Sequence, residues 1–309
     1  MLIPDLPQFR PLKRFLNAWT LRAQKVSLDI EICATNGFFA QLNWCLYVLA
    51  YCDKRKLLPR IRLTGPGYSN RPEHDWFHDF FVETDKFASA AEDSSQRLRK
   101  PLRITHIEET SFAQAFGPSM TIEEGHRLFS TVYRVNDMIE SYVDRFIESE
   151  FGSDGSVIGL HFRGTDKWNE AERVDWCRCF RSVVKLAADH PETRKVFVSS
   201  DDPAFVEWFG REARGTLSVI VHPDEERSRN GQPVHTNSAG DHNRKGFEAL
   251  VNCLLLSRCC ALIRTASFLS GWSSVFNPKL SFTLLNEPRA NTCWFPDREL
   301  VRRSETRYR

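Results

Sequence analysis

The chain has 309 residues, 41% of them hydrophobic and 27% charged, a balance that excludes a disordered polymer and suffices for two domains of ordinary size. Its 42 Lys+Arg against 40 Asp+Glu leave a formal net charge of +2, so no global basic excess argues for nucleic acid, and anion binding must come from a local cluster. No apolar run reaches transmembrane length, and no transmembrane segment is expected.

Taken in chain order, Phe9 to Lys25 is basic and mildly amphipathic and reads as a solvated first helix, with contact to a membrane surface as the alternative. Val26 to Ala34 alternates apolar and polar residues, as a strand does. Thr35-Asn36-Gly37 is a turn, and Phe38 to Tyr51 is apolar at helical spacing. Strand, glycine turn and helix open a Rossmann-like unit, but the turn does not spell G-x-G-x-x-G, so dinucleotide binding is not supported. Leu63 to Gly67 is a turn, Trp76 to Phe81 reads as aromatic core, and Asp93 to Lys100 as a polar loop. Between Thr121 and Glu150, apolar residues recur at three- and four-residue steps and predict one long amphipathic helix, with Thr121 and Glu124 as a capping box. Gly152 to Ser156 breaks the chain and sets an expected domain boundary.

The second half repeats a strand–helix alternation. Strands are expected at Val157 to Phe162, Lys195 to Ser199, Leu217 to Val221, Ala261 to Arg264 and Leu280 to Leu284. Helices are expected at Val174 to Ala188, Ala204 to Glu212, Gly246 to Ser257 and Ser267 to Phe276, and residues 223 to 243 read as a polar loop. Such alternation implies a parallel sheet with helices on both faces. The nine cysteines, including Cys177-Arg178-Cys179 and Cys259-Cys260, show no CxxC spacing. With an odd count and no secretory signal at the start, they read as free thiols, mostly small core residues, in a reducing compartment. No metal site is expected, and the location expected is the cytoplasm, with a membrane-peripheral one as the alternative.

The densest polar cluster is His161-Phe162-Arg163-Gly164-Thr165-Asp166-Lys167, at the C-terminal end of an apolar strand. In open α/β sheets that edge is where ligands bind. Arg163 brings a planar fork that grips phosphate in a bidentate way, and Lys167 adds a mobile point charge. His161, Thr165 and Asp166 can orient them or touch the substrate. A strand end carrying a surface ion pair is the alternative reading. Two further strand ends are polar: Ser199-Ser200-Asp201-Asp202-Pro203, where one acid can cap the next helix, and Thr265-Ala266-Ser267, where a serine turn opens a helix and offers N–H groups to an anion.

HFRGTDK resembles the HxRxTDK signature of the α1,6-fucosyltransferases and the related bacterial nodulation fucosyltransferases. The resemblance extends over residues 157 to 285 and, more loosely, over 28 to 50, where Gly37 and Gln41 are similar to a glycine loop followed by a helix. It implies a GT-B-like α/β fold in which two Rossmann-like domains, 1–152 on the acceptor side and 153–309 on the nucleotide-sugar side, face each other across a cleft. It implies a glycosyltransferase without cofactor that moves fucose from GDP-fucose, or another sugar from its nucleotide, to a glycan or other hydroxyl acceptor by a metal-independent inverting transfer. The absence of any Asp-x-Asp fits that expectation. Arg163 and Lys167 would then stabilise the diphosphate leaving group. The catalytic base would be Glu170, one residue closer to the motif than in the family, or Glu172. His161, Asp166, Asp201, Asp202 and Ser267 would contact or support the donor. Asn252 stands where the family has an aspartate against guanine, and a nucleotide-sugar or glycan-binding protein with weak or no turnover is the alternative.

Overall fold

The computed structural model describes residues 26–85, 87–88, 96–97, 102–105, 115–152, 156–165, 170–190, 192–223, 225–228 and 240–307. The helix expected over Phe9 to Lys25 and most of the loop expected over Asp93 to Lys100 lie outside them.

The first half is built on β1 (Val26–Ile32), followed by α1 (Phe38–Arg55) and β2 (Leu58–Leu63). A one-turn helix at Phe77–Phe80 leads into β3 (Phe81–Glu83), and the short strands β4 (Gln96–Arg97) and β5 (Leu102–Ile104) follow. β1 is the centre of a parallel sheet, with β2 on one side and β4 and β5 on the other. α1 is buried almost all round, from Phe38 to Cys52. Burial on more than one face requires a helix with apolar side chains on more than one face.

The long helix expected from Thr121 is instead two helices. α2 (Ile122–Val132) ends where β6 (Tyr133–Val135) begins, and α3 (Asp137–Phe146) restarts the helical path before a π-helical turn at Ile147–Phe151. β6 pairs antiparallel with β3, Tyr133 opposite Glu83 and Val135 opposite Phe81. Apolar residues at helical spacing fit this arrangement equally well, and the sheet partner decides it. The restart is marked by Asn136, whose side chain accepts from the Met138 N–H at 3.0 Å. Thr121 does cap α2, accepting from the Glu124 N–H at 3.1 Å.

The second half follows the expected alternation. β7 (Val157–Phe162), α4 (Trp176–Asp189), β8 (Lys195–Ser200), α5 (Pro203–Glu212) and β9 (Ser218–Ile220) run outward from the middle of a second parallel sheet. After a polar connection the chain returns through α6 (His242–Ser257), β10 (Ala261–Arg264), α7 (Phe268–Phe276) and β11 (Ser281–Leu284), and closes with α8 (Asp297–Arg307). The strand order is β11-β10-β7-β8-β9. β7 is buried at every position, as a central strand of a parallel sheet must be. Gly159 on β7 lets α6 pack close, since a Cβ there would meet Cys259 Sγ and Leu256 Cδ2 at 3.2 Å.

One apolar core joins the first sheet, α1 and α2 to α6 and α7, and a second core fills the other face of the β7 sheet under α4 and α5. The shared core is also tied by buried polar groups. Asn43 on α1 donates to the Phe295 carbonyl at 2.5 Å and accepts from Trp272 Nε1 at 2.8 Å. Arg264, fully buried at the end of β10, pairs with Asp297 at the start of α8. All nine cysteines are free, with Cys177 and Cys260 exposed and five of the others buried. Among the described residues no helix is long and apolar enough to cross a membrane.

Removing one partner of a buried ion pair leaves the other charge uncompensated in the interior. Asp297→Ala is therefore expected to destabilise the chain by about 3–5 kcal/mol, read as a lower urea midpoint, whereas a loss within about 0.5 kcal/mol would show that α8 is not held through Arg264.

Candidate functional site

The chain leaves β7 toward β8 and β9, then comes back to β10 on the other side of β7. Connections therefore diverge at the C-terminal ends of β7 and β10, and a crevice must open between them. Two bonds hold these ends together: the Thr265 N–H donates to the His161 carbonyl at 3.0 Å, and the Arg163 N–H donates to Thr265 Oγ1 at 2.9 Å. A cavity of about 550 Å³ lies here. One wall is made by His161, Arg163, Ser267 and their neighbours, and the facing wall by Thr35 to Ala40 and Tyr68 from the first half of the chain.

Arg163 is held from behind. The Asp201 carboxylate, at the end of β8, accepts from Arg163 Nε at 3.1 Å, from the Gly164 N–H at 2.9 Å and from Thr165 Oγ1 at 2.6 Å. Both partners are largely buried, with side chains 18% and 7% exposed. The pair thus fixes the guanidinium while leaving some of its donors uncommitted to Asp201. Asp202 has the other role open to this doublet. It caps α5, accepting from the Ala204 and Phe205 N–H groups at 3.0 and 3.3 Å. Gly164 is required between them, because a Cβ there would fall 2.7 Å from Asp202 Cβ.

Two helices start at the cavity wall. α7 begins with Ser267 as its N-cap, and Ser267, Phe268 and Leu269 all line the space. Arg264 fixes this turn from below, donating through Nη2 to the Ser267 carbonyl at 2.6 Å and through Nε to Ser270 Oγ at 2.9 Å. α1 begins at Gly37 on the opposite wall. Gln41 donates to the Asn36 carbonyl at 2.8 Å, and Tyr68 Oη accepts from the Phe38 N–H at 2.6 Å, so that loop is also set. Helix N-termini carry partial positive charge and N–H groups without intrahelical partners, which suits an anion placed between them.

Acidic groups stand on the loop after β9 and on α6. Glu225 accepts from Ser199 Oγ at 2.8 Å, from Arg227 Nη2 at 3.1 Å and from Asn252 Nδ2 at 3.2 Å. Burial pushes its carboxyl up to about 8, against the lowering effect of Arg227 and the Ser199 bond. Glu248 on α6 is also raised by burial and accepts from Arg244 Nε and the Glu226 N–H, each at 2.7 Å. Lys245, in the first turn of α6, is buried at the cavity wall.

Of the residues singled out in the sequence, His161, Arg163, Glu170, Asp201, Asn252 and Ser267 line this one cavity. Asp202 stands behind it as a helix cap. Glu172, the rival to Glu170, is exposed and absent from the lining. Asp166 and Lys167 lie outside the described residues. Glu225, Lys245 and Tyr68 were not anticipated as site residues. Glu225 had one usable signal, its place just beyond the C-terminal end of a parallel strand. The helix expected from Gly246 begins earlier, and the end of the loop expected over residues 223 to 243 caps and opens α6: Asp241 accepts from the Asn243 and Arg244 N–H groups. Among the described residues no group of three or more His, Cys, Asp or Glu side chains could hold a metal ion.

The model of the nodulation protein Z (NodZ) family matches residues 120–299, more than half of the chain. The nodulation protein Z of Azorhizobium caulinodans is 32% identical over 168 residues, 50% of this chain and 48% of that protein, so the chain spans about half the length of the curated relative it matches. A NodZ α1,6-fucosyltransferase co-crystallised with GDP superposes with a TM-score of 0.53 at 17% identity, covering 80% of this chain and 92% of that one. A mutant of Arabidopsis thaliana FUT1 in complex with GDP gives 0.51 at 11% identity, covering 95% and 77%. The fold is the GT-B-like arrangement of these proteins.

The raised Glu225 carboxyl has a stability consequence of definite sign. Its folded value of about 8 lies above an ordinary carboxylate, so its contribution is complete below the unfolded value near 4.5 and is lost as pH rises through about 8. Glu225→Gln, neutral at every pH, should gain stability relative to the parent chain as pH increases across that window. Urea unfolding of both proteins checks this, and a difference independent of pH would show that Glu225 ionises as an ordinary acid.

Proposed function

The chain belongs to the nodulation protein Z family, and from that premise we propose that it is a glycosyltransferase transferring fucose from GDP-fucose to a hydroxyl of a glycan or related acceptor. The observation that carries the reading is Arg163, locked by Asp201 beside the start of α7 at the mouth of a 550 Å³ cavity. A nucleoside diphosphate leaving group gains charge as the glycosidic bond breaks, and preorganised donors aimed at that charge lower the barrier. Arg163 supplies a guanidinium already held in place, and the N-terminal turn of α7 supplies backbone N–H groups and the helix dipole. Lys167, four residues further on, is the second cation of the motif. With cations in these positions no divalent ion is needed to neutralise the diphosphate, and the transfer is metal-independent.

An inverting transfer also needs a base to take the proton from the acceptor hydroxyl as its oxygen attacks the anomeric carbon on the side opposite the diphosphate. Glu170 is assigned that role, because it lines the cavity while Glu172 does not. Its main chain is anchored, the Glu170 carbonyl accepting from the Arg289 N–H at 2.6 Å. His161 and Ser267 take the donor, Asp201 positions Arg163, and Asp202 fixes α5. Residues 153–309 form the nucleotide-sugar side and residues 1–152 the acceptor side. The aromatic lining at Phe39, Phe268 and Trp294 offers flat apolar surfaces on which a sugar ring can rest.

Incubation with GDP-fucose in the presence of EDTA should release GDP, at a rate raised by the acceptor. Arg163→Ala should lower that rate on the order of a hundredfold or more, a loss of about 3 to 4 kcal/mol of transition-state stabilisation, with an unchanged circular dichroism spectrum. Near-normal turnover of this variant would remove the donor-site assignment, and GDP-fucose binding without release would identify a binding protein instead.

A further inference from the structure

Asn286 follows β11 and stands beside the end of β10, where the Leu285 N–H donates to the Arg264 carbonyl at 2.8 Å. Its side chain bonds in two directions. Oδ1 accepts from the Ala266 N–H at 2.8 Å, in the turn that opens α7. Nδ2 donates to the Glu172 carbonyl at 2.6 Å, in the segment that carries Glu170. A primary amide holds a donor and an acceptor on one planar group, so one short side chain satisfies a backbone N–H on one side and a backbone carbonyl on the other. Asn286 is itself absent from the cavity lining, whereas Ser267 and Glu170, each next to or near one of its backbone partners, are part of it.

The Glu170 segment is fastened to the chain after β11 at three successive points. The Glu170 carbonyl accepts from the Arg289 N–H at 2.6 Å, Ala171 bridges antiparallel to Pro288, and the Glu172 carbonyl takes the Asn286 amide. Pro288 has no N–H to give, so the backbone alone does not extend this pairing into a ladder. Asn286 supplies the donor that closes its far end. The α7 turn is held twice as well: Arg264 donates to the Ser267 carbonyl, and Asn286 accepts from the N–H one residue earlier.

Resting on the fucosyl-transfer reading and on Glu170 as its base, we propose that Asn286 is a positioning residue for the transfer, tying the base segment to the turn that receives the leaving diphosphate. In an inverting displacement the acceptor oxygen bonds to the anomeric carbon and gives its proton to Glu170. The electron pair of the breaking glycosidic bond leaves on the diphosphate, on the opposite side of that carbon. The carboxylate and the diphosphate site must therefore keep a set relation to each other. A base works only within hydrogen-bond reach of the proton it takes, and a shift of about 1 Å costs up to about a hundredfold in rate. The Asn286 amide bonds to both sides and acts through them, with no contact of its own to the reacting atoms.

A double-mutant cycle between positions 286 and 170 tests the inference, with kcat for GDP release measured at saturating GDP-fucose and acceptor so that altered donor affinity does not enter. Asn286→Ala should lower kcat about tenfold or more. In the Glu170→Gln background, where there is no base left to place, the same change should lower the residual kcat by less than about twofold. A merely structural role, or one confined to the α7 turn, would cost the same factor in both backgrounds. Asn286→Asp serves if the alanine variant fails to fold. Its carboxylate still accepts from the Ala266 N–H but has no donor for the Glu172 carbonyl, and it should show the same loss and the same non-additivity. A kcat within about twofold of the parent chain, or equal losses in both backgrounds, would overturn the proposal while leaving fucosyl transfer intact. Parent-like turnover of Glu170→Gln would overturn the base assignment and this proposal with it. A parent chain that neither binds GDP nor releases it from GDP-fucose would overturn the function itself.

Discussion

The site depends on the Asp201 carboxylate. It stands at the end of β8 and takes three donors from the loop that ends β7: a guanidinium, a backbone N–H and a hydroxyl. A parallel sheet fixes the relative height of neighbouring strands through its register, here His161 opposite Ser199 and Phe162 opposite Ser200. The acid and the arginine are therefore brought level before any ligand arrives. The cost of burying two charges is met by a pair with complementary hydrogen bonds, and the organised guanidinium is what the proposed chemistry uses. Without Asp201 the loop would lose all three restraints together.

A second buried charge plays the corresponding part across the crevice. Arg264 ends β10, lies wholly inside the protein, and connects Asp297, Ser270 and the Ser267 carbonyl. The turn that opens α7 and the start of α8 are thus set by one side chain. With Asn43 bridging α1 to Trp272 and Phe295, the walls on both sides of the cavity share one polar frame inside one apolar core. The cavity walls are drawn from distant parts of the sequence, yet each is anchored on a strand end or a helix start.

Much of this was legible in the sequence because it depends on local patterns. An apolar run ending in a polar cluster gave β7 and Arg163, the Asp-Asp-Pro stretch marked a helix cap and a second acid, and the serine turn marked the start of α7. What was hidden is non-local. The break of the long helix at Tyr133 is decided by pairing with Phe81–Glu83, some fifty residues earlier, and the apolar spacing through Val132 and Val135 is compatible with either outcome. Glu225 was hidden for the same reason. Its surroundings read as a charged loop, and only the fold brings it against Ser199 and Asn252, each 26 or 27 residues away. Lys245 falls just before the helix that the sequence predicts from Gly246, whereas α6 begins at His242 and buries it.

The central claim is that a nucleoside diphosphate sits at the divergence of β7 and β10. A crystal structure of the chain with GDP tests it most directly. The account predicts diphosphate oxygens within hydrogen-bonding distance of the Arg163 guanidinium and of the N–H groups that open α7, with Asp201 still engaged behind the arginine. GDP bound elsewhere, or bound here with Arg163 turned away from the phosphates, would contradict it.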